Sequence, residues 1–243
     1  MGVLRKQDEA LSAEQLVKMC EVAETDWVKF KCEAEKKDIE CLMAFCIIGF
    51  CISLRGEEVP LVVVDGILQF WKETRDHRIP HIMITLRGKF KGENNLRWHC
   101  VPLADQTKSG LPTRRWISRL LHRRHRLEGS SCGYLFCRKT GKKASLGDYD
   151  PLFRDYLART QRQHPKLFPN SVAIEDYSLR RSLRRGATTE SENNNVDTVA
   201  IELINRWRKK EAAKGAEASL SMRQVYTQAN RAVVAALRFS QSH

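Results

Sequence analysis

The run Cys41-Leu-Met-Ala-Phe-Cys-Ile-Ile-Gly-Phe-Cys-Ile-Ser-Leu-Arg-Gly-Glu-Glu58 governs how the rest of the chain is read. Apolar side chains fall on most faces of a helix from about Lys37 to Ser53, so that helix has little polar surface to offer water and is expected to be buried. The apolar part, Cys41 to Leu54, is too short to span a bilayer, and Arg55-Gly-Glu-Glu ends it.

Upstream, Leu11-Ser12-Ala13-Glu14 opens an earlier helix with Ser12 as its cap. Downstream, the period changes. Residues 61–64 (Leu-Val-Val-Val) and 67–71 read as short strands or a buried turn. Residues 81–87 (His-Ile-Met-Ile-Thr-Leu-Arg) and 96–103 (Leu-Arg-Trp-His-Cys-Val-Pro-Leu) read as strands. Gly88 to Asn95 between them is a turn by composition, which predicts a β-hairpin with a basic tip. A strongly basic helix follows from Pro112 to Leu127, then a loop with a short strand over Gly129 to Gly147, then a helix from Asp150 to Gln163. Pro165 and Pro169 break the chain. Asp176 is expected to cap a helix from about Tyr177 to Glu192, and further helices are expected over about 197–214 and 222–239. The fold class is mainly α with one small antiparallel β-sheet of three strands, an α+β domain.

The 243 residues suffice for one large domain or two small ones, and a hydrophobic fraction of 42% marks a globular chain. The formal charge of +13 points to a polyanion as partner, nucleic acid being the commonest. The eight cysteines match no Cys-x2-Cys zinc pattern. Cys132-Gly-Tyr-Leu-Phe-Cys137 has half the look of a metal site, with no second half behind it. Cys41, Cys46 and Cys51 read as small hydrophobes in the core, which suits a reducing compartment. No metal or other cofactor is expected. Residues 2–10 are charged and hold no signal-peptide stretch. The expectation is a nuclear or cytoplasmic protein without membrane contact.

Four segments, taken in order, together resemble the tyrosine recombinase (phage integrase) family. Ile52-Ser53-Leu54-Arg55-Gly56-Glu57-Glu58-Val59 is similar to its first box, an arginine at the end of a buried helix followed three residues later by a glutamate. The hairpin turn carries Lys91, with Lys89 as the alternative, where the family has a lysine. Tyr177-Ser178-Leu179-Arg180-Arg181-Ser182-Leu183-Arg184-Arg185-Gly186-Ala187-Thr188-Thr189 resembles the second box, His-x-x-Arg followed by small residues. One register sets Arg184 as the second arginine with Arg181 in the histidine place. The other uses Arg180 with Tyr177 there. The first leaves Gly186 to Thr189 where the family keeps small residues. Ile204-Asn205-Arg206-Trp207-Arg208 resembles the third box, Gly-His or Gly-Arg-Trp, with Trp207 as a second candidate for the active position. Ser221-Met222-Arg223-Gln224-Val225-Tyr226 ends on the tyrosine in the nucleophile's place. Lys209 to Leu220 makes this last gap longer than is usual in the family.

The resemblance covers about residues 12–240. It implies the catalytic-domain fold of DNA breaking-and-rejoining enzymes over residues 12–243, preceded by a tail at 1–11, with the family's upstream DNA-clamping domain absent. It implies that Arg55 and Arg184 hold the scissile phosphate, that Glu58 braces them, and that Arg181, Arg206 and Trp207 stand beside them. Lys91 protonates the leaving 5′ oxygen, and Tyr226 attacks phosphorus to leave a 3′ phosphotyrosine. Each residue type suits its task. Guanidinium groups bond two phosphate oxygens and stay charged, and fixed cations at the nonbridging oxygens lower the barrier of phosphoryl transfer. A phenol ionises only near pH 10 unless cations favour its phenolate, and an acid at the leaving oxygen contributes roughly 100- to 10,000-fold. Arg114, Arg115, Arg119, Arg123, Arg124 and Arg185, with Lys89, are expected to contact the backbone of double-stranded DNA. Self-association on DNA is expected. Two other readings stay open: a degenerate relative that binds DNA without cutting it, and a type IB topoisomerase.

Overall fold

The computed structural model describes residues 8–65, 67, 80–88, 98–127, 133–138, 140–169, 171–205 and 236–243. The apolar run becomes helix α2, Glu33–Cys51, and every residue from Ile39 to Cys51 is buried. Around it pack α1, Ala13–Lys29, then α3, Thr113–His122, and α6, Ser182–Asn193. Helix α4, Asp150–Gln163, lies against α1. Ser12 caps α1 as expected: its hydroxyl accepts the Gln15 N–H (3.1 Å), and the Gln15 side chain accepts the Ser12 N–H (2.8 Å). This reciprocal box satisfies two otherwise unpaired donors of the first turn.

The two strands pair as read, while residues 89–97, which carry the expected basic tip, lie outside the described residues. Strand β1, His81–Arg87, pairs antiparallel with β2, Trp98–Ala104, from His81 opposite Ala104 to Arg87 opposite Trp98. Among the described residues the sheet has two strands rather than three. Val62 contributes a single bridge to Leu86 and Val63 one to Tyr134, so the Leu-Val-Val-Val stretch touches the hairpin without extending it.

The second arginine box departs from the expected single helix. A short helix α5, Ala173–Asp176, comes first, and the Asp176 carboxylate accepts the Val172 N–H (2.6 Å) to close it. The chain then runs irregularly through Tyr177 to the start of α6, whose cap is Arg181. Asp176 thus serves the turn before it rather than the helix after it. Asn195, at φ 56°, follows the end of α6, and α7, Thr198–Asn205, packs back on that helix.

Two glycines allow the close approaches that set the site. A Cβ at Gly56 would run into the Leu179 carbonyl oxygen, where the Gly56 N–H donates to the Arg180 carbonyl (3.2 Å). A Cβ at Gly186 would collide with the Leu11 carbonyl oxygen, and Leu11 N–H in turn donates to Ser182 O (3.1 Å). The small residues after Arg184 therefore let the N-terminal segment lie directly on α6.

Residues 236–241 are helical and pack on their own chain. The Ala104 N–H donates to the Ser240 hydroxyl, and the Lys108 and Ser109 N–H groups donate to the Gln241 and His243 carbonyls. Cys20, Cys41, Cys46 and Cys51 are free and buried. Burial pushes their thiols up, Cys41 to about 12, so they stay protonated. Among the described residues no helix is long and apolar enough to cross a membrane, and no three His, Cys, Asp or Glu side chains are grouped to hold a metal ion.

Candidate active site

The end of α2 sets the first corner of the site. After Cys51 the chain turns sharply, with Ser53 at φ 51° and fully buried. Arg55 then emerges with 41% of its side chain exposed. Its backbone N–H donates to the Glu58 carboxylate (2.9 Å), and its guanidinium lies 3.6 Å from the same carboxylate. Glu58 is 7% exposed.

Arg184, from α6, meets that carboxylate from the other side at 3.7 Å. It is 8% exposed, and its Nη2 donates to the main-chain carbonyl of Asn205 at the end of α7. At 3.6 and 3.7 Å the two Glu58 contacts are ion pairs rather than hydrogen bonds. They hold two like-charged groups near one carboxylate, at a site where a buried guanidinium without a counter-charge would be strongly destabilising. One stretch of the site thus combines residues from three segments distant in sequence: Arg55 and Glu58, Arg184, and Asn205.

Of the two registers in the second box, Arg184 is the one that points inward. Arg180 is exposed and pairs with the equally exposed Glu57 (2.9 Å). Arg181 is exposed at the start of α6, and Arg185 is exposed with its guanidinium on the Asp8 carbonyl. Lys89, Lys91, Arg206, Trp207 and Tyr226 lie outside the described residues. Four of the five tyrosines are described. Tyr149 and Tyr156 are buried, which pushes both phenols well above their ordinary value, and Tyr156 also donates to Asp26 (2.9 Å). The Tyr177 hydroxyl accepts a bond from the Gln15 amide (3.0 Å). These three are packed as structural groups.

The basic helix divides in two, which revises its reading as one DNA-facing surface. Arg119 forks onto Glu24 (2.7 and 2.8 Å) and stacks on Trp27. Arg123 is 6% exposed and held by Glu40, itself 2% exposed, and by Glu33. The hydrogen bond to Glu40 raises the Arg123 pKa despite burial. Arg124 is equally buried and donates to the Tyr134 carbonyl (3.2 Å). Arg119 thereby ties α3 to α1, and Arg123, just past the end of α3, ties it to α2. Arg114 and Arg115 keep more than half of their side chains exposed, although Arg114 also pairs with Asp105 and Arg115 with Glu24.

Asn205 was not marked by the sequence as a site residue. The available signal was a polar residue closing the apolar helix Val199-Ala-Ile-Glu-Leu-Ile204, one position before Arg206.

The fold is mostly helical with a small two-stranded antiparallel sheet, and it is similar to that of a solved site-specific recombinase. Among solved structures, the chain is similar to the XerH site-specific recombinase bound to palindromic difH substrate in a post-cleavage complex. The TM-score is 0.52 and the identity 14%, covering 84% of this chain and 48% of that one. The chain thus spans about half the length of the recombinase it matches. No protein-family model and no curated protein matches the sequence.

Proposed function

We propose that this chain is the catalytic part of a tyrosine-type site-specific recombinase, cutting and rejoining double-stranded DNA through a 3′ phosphotyrosine at Tyr226. The observation that carries the reading is the convergence of Arg55 and Arg184 on Glu58, within a fold shared with a site-specific recombinase. Two guanidinium groups with one carboxylate between them suit a phosphate whose negative charge grows in the transition state. Arg55 is the more exposed of the pair and meets the phosphate first. Arg184 is held behind it. Lys91 supplies the proton to the leaving 5′ oxygen. Arg181 and Arg206 stand where the family has histidines, with Trp207 beside Arg206. Arg114, Arg115 and Arg185 offer exposed charge to the duplex, and copies of the chain associate on it.

A nicked suicide substrate tests this reading, because loss of the short fragment traps the covalent product. Wild type is expected to give a DNA adduct on a denaturing gel, Arg55→Ala nearly none and Tyr226→Phe none. An adduct that persists in Tyr226→Phe rejects the nucleophile. One observation favours a second reading, a DNA-binding relative without cleavage. Arg181, in the histidine place, is exposed at the start of α6 rather than buried beside Arg184. Duplex binding with no adduct from wild type would select it.

A further inference from the structure

Asn205 stands where the third box of the family has glycine, yet it is 1% exposed and bonded on three sides. Its side-chain oxygen accepts the Ser53 hydroxyl (2.7 Å). Its amide donates to the Thr188 hydroxyl (3.1 Å), which donates in turn to the Arg184 carbonyl (2.9 Å). Its own main-chain carbonyl accepts Nη2 of Arg184. Ser53 lies two residues before Arg55, Thr188 lies one helical turn after Arg184, and Asn205 directly precedes Arg206. A glycine could offer the main-chain carbonyl but neither of the side-chain bonds.

We infer that Asn205 is a positioning residue for the phosphate clamp, its carboxamide tying together the segments that bear Arg55, Arg184 and Arg206 so that the Arg184 guanidinium is aimed at the scissile phosphate. The inference rests on the recombinase reading and adds to it a residue that touches no substrate atom. The physical basis is pre-organisation. A buried amide bonded through both its oxygen and its nitrogen fixes its neighbours in one geometry. A clamp displaced by about 1 Å loses on the order of 100-fold in rate. Ser53 adds to the rigidity because its left-handed backbone leaves the hydroxyl aimed at Asn205.

The test compares adduct formation and duplex affinity for wild type, Asn205→Ala, Ser53→Ala and the double variant. Two suicide substrates are used, one with an ordinary scissile phosphate and one with a methylphosphonate there. Asn205→Ala is expected to lose roughly 100-fold in adduct rate, with duplex affinity within about 2-fold of wild type. Ser53→Ala loses less, about 10-fold, and the double variant is no slower than Asn205→Ala alone, because both substitutions break one network. On the methylphosphonate, which lacks the charge the clamp neutralises, the deficit of Asn205→Ala narrows by about 10-fold and that of Ser53→Ala all but disappears. A purely structural role would slow both substrates alike, and an equal deficit on the two overturns the inference. So does an unimpaired Ser53→Ala, which keeps the question open to measurement should Asn205→Ala fail to fold. If wild type itself yields no adduct on either substrate, the recombinase reading has failed and the positioning role falls with it.

Discussion

Replacing Arg123 by methionine removes the cation from a pair that is among the most deeply buried of the described residues. Glu40 would remain 2% exposed, with the Trp27 indole N–H (2.8 Å) as a partner and no guanidinium. Removing one member of a buried ion pair costs about 3–5 kcal/mol, because the other charge stays desolvated. Glu33 adds little to that figure, since its side chain is 63% exposed. For a chain of this length each kcal/mol moves Tm by about 2–4 °C, so the expected drop is roughly 6–20 °C. Urea unfolding followed by tryptophan fluorescence and by circular dichroism gives the free energy. The double variant Arg123→Met with Glu40→Gln should recover at least half of the loss, because the glutamine still accepts the Trp27 bond while no charge is buried. A single-variant loss below about 1 kcal/mol, or no recovery in the double variant, would refute the view that Arg123 is an internal strut. The same proteins test its role towards DNA: at a temperature where Arg123→Met stays folded, its duplex affinity should match wild type.

Arg114→Gln and Arg115→Gln should each weaken duplex binding and reduce the slope of log affinity against log salt by about 1, measured by fluorescence anisotropy across a salt series; unchanged slopes would remove this helix from the DNA interface. His243 is 1% exposed, edge-on to Phe50 and Phe239, and among the described residues neither ring nitrogen has a hydrogen-bond partner. Burial lowers its pKa from 6.5 to about 3, so the unfolded chain binds the extra proton first. Its contribution is complete above about pH 6.5 and is lost as pH falls towards 3. Between pH 7 and pH 5 wild type should lose up to about 2 kcal/mol in urea unfolding that His243→Leu does not lose; parallel curves for the two would sink this. Gly186→Ala should cost about 1–3 kcal/mol or more, since its Cβ meets the Leu11 carbonyl rather than a side chain that can swing away; a neutral result in the same unfolding assay would show that the N-terminal segment does not lie on α6.

Much of the fold was legible because its signals are local. Ser12 and Gln15 are three residues apart and make their cap without help, the run to Cys51 has no polar face, and the hairpin strands lie on either side of a turn-rich stretch. Asp176 misled because an acidic residue before a helical pattern looks the same whether it serves the turn behind it or the helix ahead. The basic helix misled for a different reason. Spacing shows that Arg119, Arg123 and Arg124 recur along a helix, but Glu24, Glu33 and Glu40 lie on other helices and the Tyr134 carbonyl in a later loop, and only packing brings them in. In the site, Arg55 and Glu58 were readable as a short-range pair. Arg184 was preferred over Arg180 on the small residues Gly186 to Thr189 behind it; that Arg184 reaches Glu58 while Arg180 pairs with Glu57 shows only in the folded chain. Asn205 escaped notice because a single asparagine carries no pattern until its three partners are assembled around it.

Mapping the covalent linkage tests the recombinase chemistry most directly. Wild-type protein trapped on a nicked duplex, digested with a protease and a nuclease, should yield a nucleotide-bearing peptide identified by mass spectrometry, with the nucleotide joined through its 3′ phosphate to Tyr226. A linkage at Tyr134, Tyr149, Tyr156 or Tyr177, a linkage through the 5′ phosphate, or intact duplex with no covalent product would contradict it.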